Sequence, residues 1–286
     1  MSEFDASWLD LRAAADCAAR SSGLLERLAA TVADRRIRRC IDLASGTGAN
    51  LRVLCDRLGP DQHWLAIDHD PALLAAFAER TPHWAKSQGG TVQATERSFE
   101  ILTARRRVGI ELADIDLAND LESIECDERT LVTASAFLDL VGSEWLDRFV
   151  AHCRASRPVV YVALTYDGVA ECEPSHPDDQ WVVATVNRHQ MSDKGFGPAL
   201  GPRAPGVAEE AFAQAGFEVL SERSDWQLGV AESSLQAALL DGWAAAAREL
   251  EPDEAGRIDA WLEARRASLD AGRSRVRVGH RDLLAT

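Results

Sequence analysis

The sequence predicts an α/β protein in which helices cover both faces of a mostly parallel β-sheet. Two observations support this fold class. Between residues 39 and 166, short apolar segments alternate with segments of helical periodicity, as in strands that are connected by crossover helices. Within that region, the apolar segment 39–44 leads directly into a glycine turn and then into a helix. At 286 residues, the chain is long enough for one large domain of this class.

The predicted elements begin with helices. Residues 3–30 carry apolar side chains at helical spacing, with a break between two helices expected at Gly23. Residues 1–35 are therefore expected to form an N-terminal helical cap. Five parallel strands are predicted at 39–44, 63–68, 108–114, 130–136 and 158–165. Residues 98–102 have the pattern of a short extra strand.

The alternation lapses at 167–205, which is rich in Gly, Pro, Asp and His. A stretch of this length without regular structure is usually functional, and we expect a loop that covers the substrate. Residues 206–286 are expected to complete the sheet with strands at 217–228 and 274–285, and a helical pair at 231–271 is inserted before the last strand. Because no repeat divides the chain, 1–286 is expected to form a single domain.

Charge and composition disfavour several function classes. The chain has 31 basic and 46 acidic residues, a formal charge of −15, which argues against binding nucleic acid or anionic lipid. No apolar stretch is long enough to cross a bilayer, and no secretory signal is recognisable at the start. The six cysteines lie far apart without a CxxC pair, as in a reduced cytoplasmic protein.

The segment 42–50, with the sequence DLASGTGAN, is the strongest functional pattern. A strand that enters a glycine turn and then a helix exposes backbone N–H groups to a ligand. Asp68 ends the second predicted strand, where a carboxylate can accept from both hydroxyls of a ribose. Asp116 follows the third strand, where an acid can accept from an adenine amino group. Together they indicate a site for an adenosine.

Each of these residues also has a structural interpretation. The glycine turn could serve packing, Asp68 could cap a helix, and Asp116 could be a surface acid, with Asp114 a competing alignment for its position. A nicotinamide dinucleotide requires a third glycine in the turn, and that position holds Leu51. The acid four residues before Gly46 also fits a ligand without phosphates better.

The pattern Asp42-x-Ala44-x-Gly46-x-Gly48 resembles motif I of the class I S-adenosylmethionine-dependent methyltransferases, with Ala44 in place of the usual first glycine. In the same family, Asp68 matches the acid that binds ribose. Segment 113–117 (ADIDL) resembles the Asp-Leu step beside adenine. Segment 133–139 (TASAFLD) resembles the segment beside the methionine end and the substrate. The resemblance covers roughly residues 38–166.

The resemblance implies a Rossmann-like, seven-stranded, mostly parallel sheet with an antiparallel last strand. It makes 36–166 the cofactor-binding core and S-adenosylmethionine the cofactor. The residues that it places at the cofactor are Asp42, Ala44, Ser45, Gly46, Gly48, Asn50, Asp68, His69, Asp116, Leu117 and Ser135.

Three residues are candidates for the methyl-transfer chemistry. The reaction is an in-line displacement that chiefly requires positioning, and a base is needed only when the acceptor carries a proton. Asp139 follows the fourth strand and is either a base or a helix cap. Tyr166 ends the fifth strand and faces either the pocket or the core. His189 lies in the expected covering loop.

Basic side chains suggest where an anionic group could bind. Arg188, His189 and Lys194 suit an anionic or carbonyl-bearing substrate, or else belong to a solvated loop. Arg12, Asp16 and Arg20 follow one another at every fourth position, on one stripe of a helix. Arg12 could meet the methionine carboxylate of the cofactor, or the whole stripe could face solvent.

Missing motifs narrow the acceptor. No Asn- or Asp-Pro-Pro-Tyr tetrad and no Pro-Cys pair follows the fourth strand, which disfavours methylation of nucleic-acid bases, and no His/Cys cluster has metal-ligand spacing. We expect a cytoplasmic methyltransferase, monomeric or homodimeric, that acts on O or N of a small polar metabolite. The alternatives are a non-catalytic relative that binds the cofactor or its product, and a nicotinamide-dependent oxidoreductase.

Overall fold

A central β-sheet organises the computed structural model, which describes residues 5–286. The strands are β1 (Arg39–Leu43), β2 (Asp61–Asp68), β3 (Thr91–Ala94), β4 (Ser98–Leu102), β5 (Arg107–Asp114), β6 (Thr130–Ser135), β7 (Val159–Glu173), β8 (Val219–Arg223), β9 (Trp226–Leu228) and β10 (Arg275–Ala285). The α-helices are α1 (Ala6–Ala19), α2 (Ser22–Asp34), α3 (Ala49–Cys55), α4 (Pro71–Ser87), α5 (Ser143–Ser156), α6 (Asp179–Gln190), α7 (Ala204–Gln214), α8 (Ser233–Leu250) and α9 (Ala255–Asp270).

The strands lie in the order β3-β4-β5-β2-β1-β6-β7-β10-β8, and the short β9 pairs with β10. The five central strands from β5 to β7 are parallel, whereas β10 runs antiparallel to β7, β8 and β9. The strand order reverses at β1, so the connections that follow β1 and β6 lead to helices on opposite faces of the sheet, α3 and α5. A crevice at this position is the usual ligand site of such sheets.

Helices pack on both faces of the sheet, as the sequence predicts. Apolar side chains of α2, α3 and α4 cover one face, and those of α5 and α7 cover the other. A third cluster joins α6, α8 and α9 to β9 and to the ends of β7 and β10 that project beyond the parallel strands. No helix within residues 5–286 combines the length and the apolar character that a bilayer span requires.

The predicted fold class is confirmed, and the sheet is larger than the seven strands expected. The hairpin of β3 and β4 extends one edge, and 217–228 forms two strands instead of one. That division falls at Asp225, which accepts a hydrogen bond from the backbone N–H of His280 at 3.2 Å. The register of β10 shifts between Val278 and His280. The neighbouring segment, which pairs with β10, is interrupted beside this shift and forms β8 and β9 on either side of it.

The expectation that 167–205 is one long loop is contradicted by the structure. β7 continues to Glu173 because it pairs with β10, and α6 follows because Val182 and Val186 pack into the third cluster. Only residues 191–200 remain as a loop between α6 and a short 3₁₀ helix. The break between the first two helices also differs from the expectation: it lies at Ser21, which caps α2, and not at Gly23.

Candidate active site

A cavity of about 650 Å³ lies at the carboxyl ends of β1, β2 and β6, within the range of about 300–1,000 Å³ that is usual for ligand sites. One side, the strand-end wall, consists of residues 44–47, 49–50, 68–71 and 135–137, which follow these three strands. The other side, the cover, consists of side chains from 9–16 of α1, of Arg20 directly after α1, and of residues 193, 194 and 196. The cavity therefore occupies the crevice where the strand order reverses.

The glycine turn owes its shape to left-handed backbone conformations. Ala44, Gly46 and Gly48 have φ angles of 49°, 54° and 82°. A Cβ atom at Gly48 would lie 2.6 Å from Phe77 of α4, so a side chain there would displace that ring. Gly48 itself does not line the cavity, and its role is to let α3 and α4 pack closely. Gly46 does line the cavity.

Asp68 is held at the edge of the cavity by backbone N–H groups. Gly46 donates to its Oδ2 at 2.8 Å, and Asp70 donates to its Oδ1 at 3.0 Å. The residue is 6% exposed, and burial raises the pKa of its carboxyl. Each carboxylate oxygen can accept more than one hydrogen bond, so both oxygens keep acceptor capacity towards a ligand. This is the arrangement that two adjacent hydroxyl groups require.

Asp42 lies beneath the strand-end wall and does not line the cavity. Its Oδ1 accepts a hydrogen bond from Asn50 Nδ2 at 2.6 Å, and burial raises its pKa to about 7. Asn50 also donates to Thr133 Oγ1 at 3.1 Å and accepts from Arg20 Nη1 at 2.7 Å. Asp42, which the sequence suggests as a cofactor residue, therefore does not line the cavity, because Asn50 lies between its carboxylate and the cavity.

The charged stripe on α1 faces the cavity and not the solvent. Arg12 and Asp16 form an ion pair at 2.9 Å, and both line the cavity together with Arg20. The guanidinium of Arg12 also lies over the ring of Trp226, 5.0 Å from its centroid. Trp226 Nε1 donates to Asp16 at 3.0 Å. The stripe thus belongs to the cover, and β9 supports it from behind.

Leu117 and Asp116, expected to act together at an adenine, are separated in the structure. Leu117 lines the cavity. The carboxylate of Asp116 instead accepts from the backbone N–H of Ala118 at 2.9 Å and from Asn119 Nδ2 at 2.7 Å. These local bonds shape the turn after β5, and Asp116 is not part of the cavity wall.

None of the three candidate catalytic side chains lines the cavity. Asp139 lies outside the cavity lining, and burial raises its pKa to about 6. The hydroxyl of Tyr166 donates to Asn187 Oδ1 at 2.8 Å. His189 lies 3.1 Å from Glu249 of α8 through its Nε2. Of the alternatives that the sequence left open, neither a base in the cavity for Asp139 nor a pocket-facing position for Tyr166 is observed, and His189 lies in α6 instead of a covering loop.

Of the two expected substrate-binding residues, Lys194 lines the cavity and Arg188 does not. Arg188 forms an ion pair with Glu251, so it ties α6 to the end of α8. Lys194 lies in the loop 191–200 beside Phe196, whose ring packs edge-on against Phe137 with centroids 5.3 Å apart. The covering role expected for the whole of 167–205 is thereby reduced to this short loop.

Backbone hydrogen bonds tie the loop 191–200 to the turn between β6 and α5. Gly142 donates to the carbonyl of Phe196 at 3.2 Å, and Leu200 donates to the carbonyl of Val141 at 2.8 Å. A Cβ atom at Gly142 would lie 2.5 Å from the same Phe196 carbonyl, so only glycine permits this approach. The loop is therefore placed over the cavity by residues that follow the fourth parallel strand.

No protein-family model and no curated protein matches the chain. Solved structures of similar architecture include a putative methyltransferase of Bacillus halodurans, at 10% identity over 92% of this chain and 96% of that chain, with a TM-score of 0.47. A methyltransferase of Thiobacillus denitrificans, solved with S-adenosylhomocysteine, matches at 14% identity over 99% of both chains, with a TM-score of 0.44. A cyclopropane synthase of Mycobacterium tuberculosis matches at 14% identity over 91% of this chain and 83% of that chain, with a TM-score of 0.43. These identities and TM-scores are too low to assign a cofactor or an activity.

Several residues of the cavity wall were not anticipated as site residues. They are Leu9, Ala13, Asp16, Arg20, Thr47, Ala49, Val53, Asp70, Pro71, Leu73, Ala136, Phe137, Leu140, Asp193 and Phe196. A signal existed for those on α1, because Leu9, Ala13 and Arg20 fall on the same helical stripe as Arg12. It existed also for Phe137 and Leu140, which belong to the apolar run after the fourth strand. No local pattern indicates that Asp193 and Phe196 reach the same cavity.

Proposed function

We propose that this protein is an S-adenosylmethionine-dependent methyltransferase whose cofactor binds in the cavity between the strand-end wall and the cover. The observation that carries the proposal is the carboxylate of Asp68. It is buried at the cavity edge, and backbone N–H groups of Gly46 and Asp70 fix both of its oxygens. A carboxylate held in this way is suited to accept hydrogen bonds from the two hydroxyls of a ribose.

The surroundings of Asp68 favour a nucleoside and disfavour a dinucleotide. Pro71, Leu73 and Leu117 supply an apolar surface on the same side of the cavity, where a purine can pack. A pyrophosphate would need a glycine at the position of Leu51, whose side chain is 1% exposed and fills the core. The nicotinamide alternative therefore loses the close backbone approach on which it depends.

The acceptor end of the cavity combines an apolar surface with charged groups. Phe137, Leu140 and Phe196 provide the apolar part, and Lys194 and the Arg12–Asp16 pair provide the polar part. Such a lining suits a small metabolite that has both an apolar body and a polar group. We propose an oxygen or nitrogen of such a metabolite as the methyl acceptor.

The chain contributes mainly positioning to the proposed reaction. When bound, S-adenosylmethionine supplies an electrophilic methyl group, and no covalent intermediate with the protein is needed. Asp68 holds the ribose, and the apolar side chains of Phe137 and Phe196 keep water away from the reacting atoms. Because Asp139 and Tyr166 do not reach the cavity, an acceptor that is nucleophilic without a buried base fits this site best.

The position of Asp139 and Tyr166 outside the cavity also favours a second candidate, a non-catalytic protein that binds the cofactor or its product. Such a protein would keep Asp68 and the glycine turn and would need no group positioned to take a proton. The two candidates differ in turnover and not in binding. Formation of S-adenosylhomocysteine in the presence of a panel of small amines, phenols and carboxylates would establish catalysis, whereas tight binding without turnover on any of them would favour the second candidate.

Calorimetric titration with S-adenosylmethionine, S-adenosylhomocysteine and NADH tests the cofactor. We expect micromolar binding of the two sulfur nucleosides only. Asp68→Ala should weaken them about 100-fold or more, because two hydrogen bonds to a charged acceptor, at about 1.5–3 kcal/mol each, are lost. The matched control is Asp61→Ala, at the opposite end of β2, where the carboxylate pairs with Arg38 at 2.9 Å. Binding of NADH instead, or an Asp68→Ala protein of undiminished affinity, would refute the proposal.

A further inference from the structure

We propose that Arg20 is the residue of this cavity that recognises a carboxylate. The inference rests on the function proposed above, and it gives Arg20 the contact with a ligand carboxylate that the sequence suggested for Arg12. Arg20 follows α1 directly, lines the cavity and is 7% exposed. The carboxylate would come from the amino-acid end of the cofactor or from the methyl acceptor. Both sources offer the same planar anion.

The side chains that accept hydrogen bonds from Arg20 carry no charge. Its Nη1 donates to Asn50 Oδ1 at 2.7 Å, and its Nη2 donates to Ser135 Oγ at 3.0 Å, so both acceptors are neutral. Its Nε has no hydrogen-bond partner. Within residues 5–286, no carboxylate lies at ion-pair distance from this guanidinium. The buried carboxylate of Asp42 acts on this guanidinium only across Asn50. A buried charge without a direct ion pair is costly, and an anion that enters the cavity would reduce that cost.

Arg12, two turns earlier on the same stripe, differs from Arg20 because it has an ion-pair partner. The guanidinium of Arg12 already pairs with Asp16 through two hydrogen bonds, of 2.9 and 3.2 Å, and lies over Trp226. Arg12 is thus neutralised by the protein itself. We therefore expect Arg20, and not Arg12, to meet a ligand carboxylate, because Arg20 lines the same cavity without such a pair.

The guanidinium of Arg20 is held in one orientation by its two hydrogen-bond acceptors. Asn50 presents its Oδ1 to the guanidinium because its Nδ2 is engaged by Asp42 and Thr133. A guanidinium that is fixed by two acceptors keeps its remaining N–H groups in a rigid fork, and such a fork matches a carboxylate better than a lysine ammonium does.

Ser45 provides an independent sign that a polar ligand group belongs in this cavity. Its side chain lines the cavity, is 6% exposed, and its hydroxyl has no hydrogen-bond partner. A buried hydroxyl without a partner is unusual in a folded protein, and a ligand oxygen or nitrogen would satisfy it. Arg20 and Ser45 therefore both lack partners that a polar group in the cavity could supply.

The test compares ligands with and without a carboxylate. S-adenosylhomocysteine and 5′-methylthioadenosine share the nucleoside and the thioether, but only the former carries an amino acid. We expect Arg20→Met to weaken S-adenosylhomocysteine about 30-fold or more and to leave 5′-methylthioadenosine within about threefold, if the cofactor supplies the carboxylate. Arg20→Lys should recover part of the loss, because it restores the charge without the fork.

A second titration tests whether the methyl acceptor, and not the cofactor, supplies the carboxylate. Acetate is added to the protein saturated with S-adenosylhomocysteine, for the natural chain and for Arg20→Met. Loss of acetate binding in Arg20→Met, with both nucleosides unaffected, assigns the carboxylate to the acceptor. Equal weakening of both nucleosides indicates a merely structural residue and overturns the proposal, and so does a variant that changes none of the three ligands. A natural chain that binds neither nucleoside refutes the proposed function first, and this inference with it.

Discussion

The strand-end wall and the cover enclose the same cavity, yet different kinds of interaction hold them. In the strand-end wall, backbone conformation and backbone N–H groups do most of the positioning, as when Gly46 donates to Asp68. In the cover, side chains that are distant in sequence meet, as when Trp226 supports the Arg12–Asp16 pair across 210 positions. The first kind of order arises at the ends of adjacent strands, where residues about twenty positions apart meet through the backbone. The second exists only once the chain has folded.

This difference predicts how each wall responds to mutation. A change in the strand-end wall alters the backbone from which several groups are positioned, so stability and binding should fall together. A change in the cover removes one contact among several, and the core of the sheet should remain intact. The predictions below test this contrast.

Gly48→Ala should have the largest effect. The new Cβ atom would need a left-handed φ of 82° and would lie 2.6 Å from Phe77. We expect a loss of about 4 kcal/mol in the free energy of unfolding, from roughly 1–2 kcal/mol of backbone strain and 1–3 kcal/mol of overpacking. Urea denaturation measures it, and affinity for S-adenosylhomocysteine should fall in the same protein.

Gly59→Ala is the matched control, since nothing lies within 4 Å of the Cβ position there. Its stability should be unchanged or slightly raised, because alanine restricts the unfolded chain more than glycine does. If Gly48→Ala were as stable as this control, the close packing of α3 on α4 would not be what requires a glycine.

The second prediction concerns Asp42, whose pKa burial raises to about 7 from a usual value of 3.8. Between these values the folded state holds a proton that the unfolded state has lost, so stability falls as the pH rises and levels off above pH 7. Relative to Asp42→Asn, the natural chain should lose about 2–3 kcal/mol between pH 5 and pH 8, at about 1.4 kcal/mol per pH unit below pH 7.

Urea unfolding of both proteins at four pH values measures this difference. His280, whose burial lowers its pKa to about 3, destabilises the fold as the pH falls below about 6.5. That contribution is the same in both proteins and cancels. A difference between the two proteins that stays constant from pH 5 to pH 8 would show that Asp42 is ionised throughout.

The sequence predicts most of the fold, because strand and helix periodicities are local. All five parallel strands and the antiparallel last strand were anticipated. Residues 167–205 were not, since β7 extends through pairing with β10, and α6 is stabilised by packing on α8. Most of the Gly and Pro residues that suggested a loop lie between these elements, but Gly168 lies within β7, where it adopts a φ of 88° without ending the strand.

The residues of the candidate site also fall into those that local sequence patterns indicate and those that depend on contacts distant in sequence. Short motifs correctly placed Ser45, Gly46 and Asp68 in the cavity wall, because turn geometry follows from neighbouring residues. They could not show that Asn50 separates Asp42 from the cavity, or that Phe196 reaches it. Those positions depend on contacts with Arg20 and Phe137, which lie thirty or more residues away in sequence.

The third prediction concerns the cover. Phe196→Ala removes edge-on contacts with Phe137 and Trp145, whose ring centroids lie 5.3 and 5.8 Å away. We expect a loss of about 1–2 kcal/mol in the free energy of unfolding, since each aromatic pair contributes about 0.5–1.5 kcal/mol. Met191→Ala, at an exposed position of the same loop, is the control and should cost under about 0.5 kcal/mol. A Phe196→Ala protein as stable as that control would mean that the backbone bonds to Gly142 alone hold the loop.

The smallest effect should come from the double variant Arg188→Ala/His189→Ala. Neither side chain lines the cavity. Arg188 pairs with Glu251 and His189 with Glu249 near the end of α8, at the protein surface. Exposed pairs of this kind contribute about 0–1 kcal/mol, so we expect a slight loss of stability and an affinity for S-adenosylhomocysteine within about twofold of the natural chain. Calorimetry on the double variant decides the matter. A tenfold loss of affinity would make α6 part of the cover, and the boundary drawn at residue 191 would then have to move.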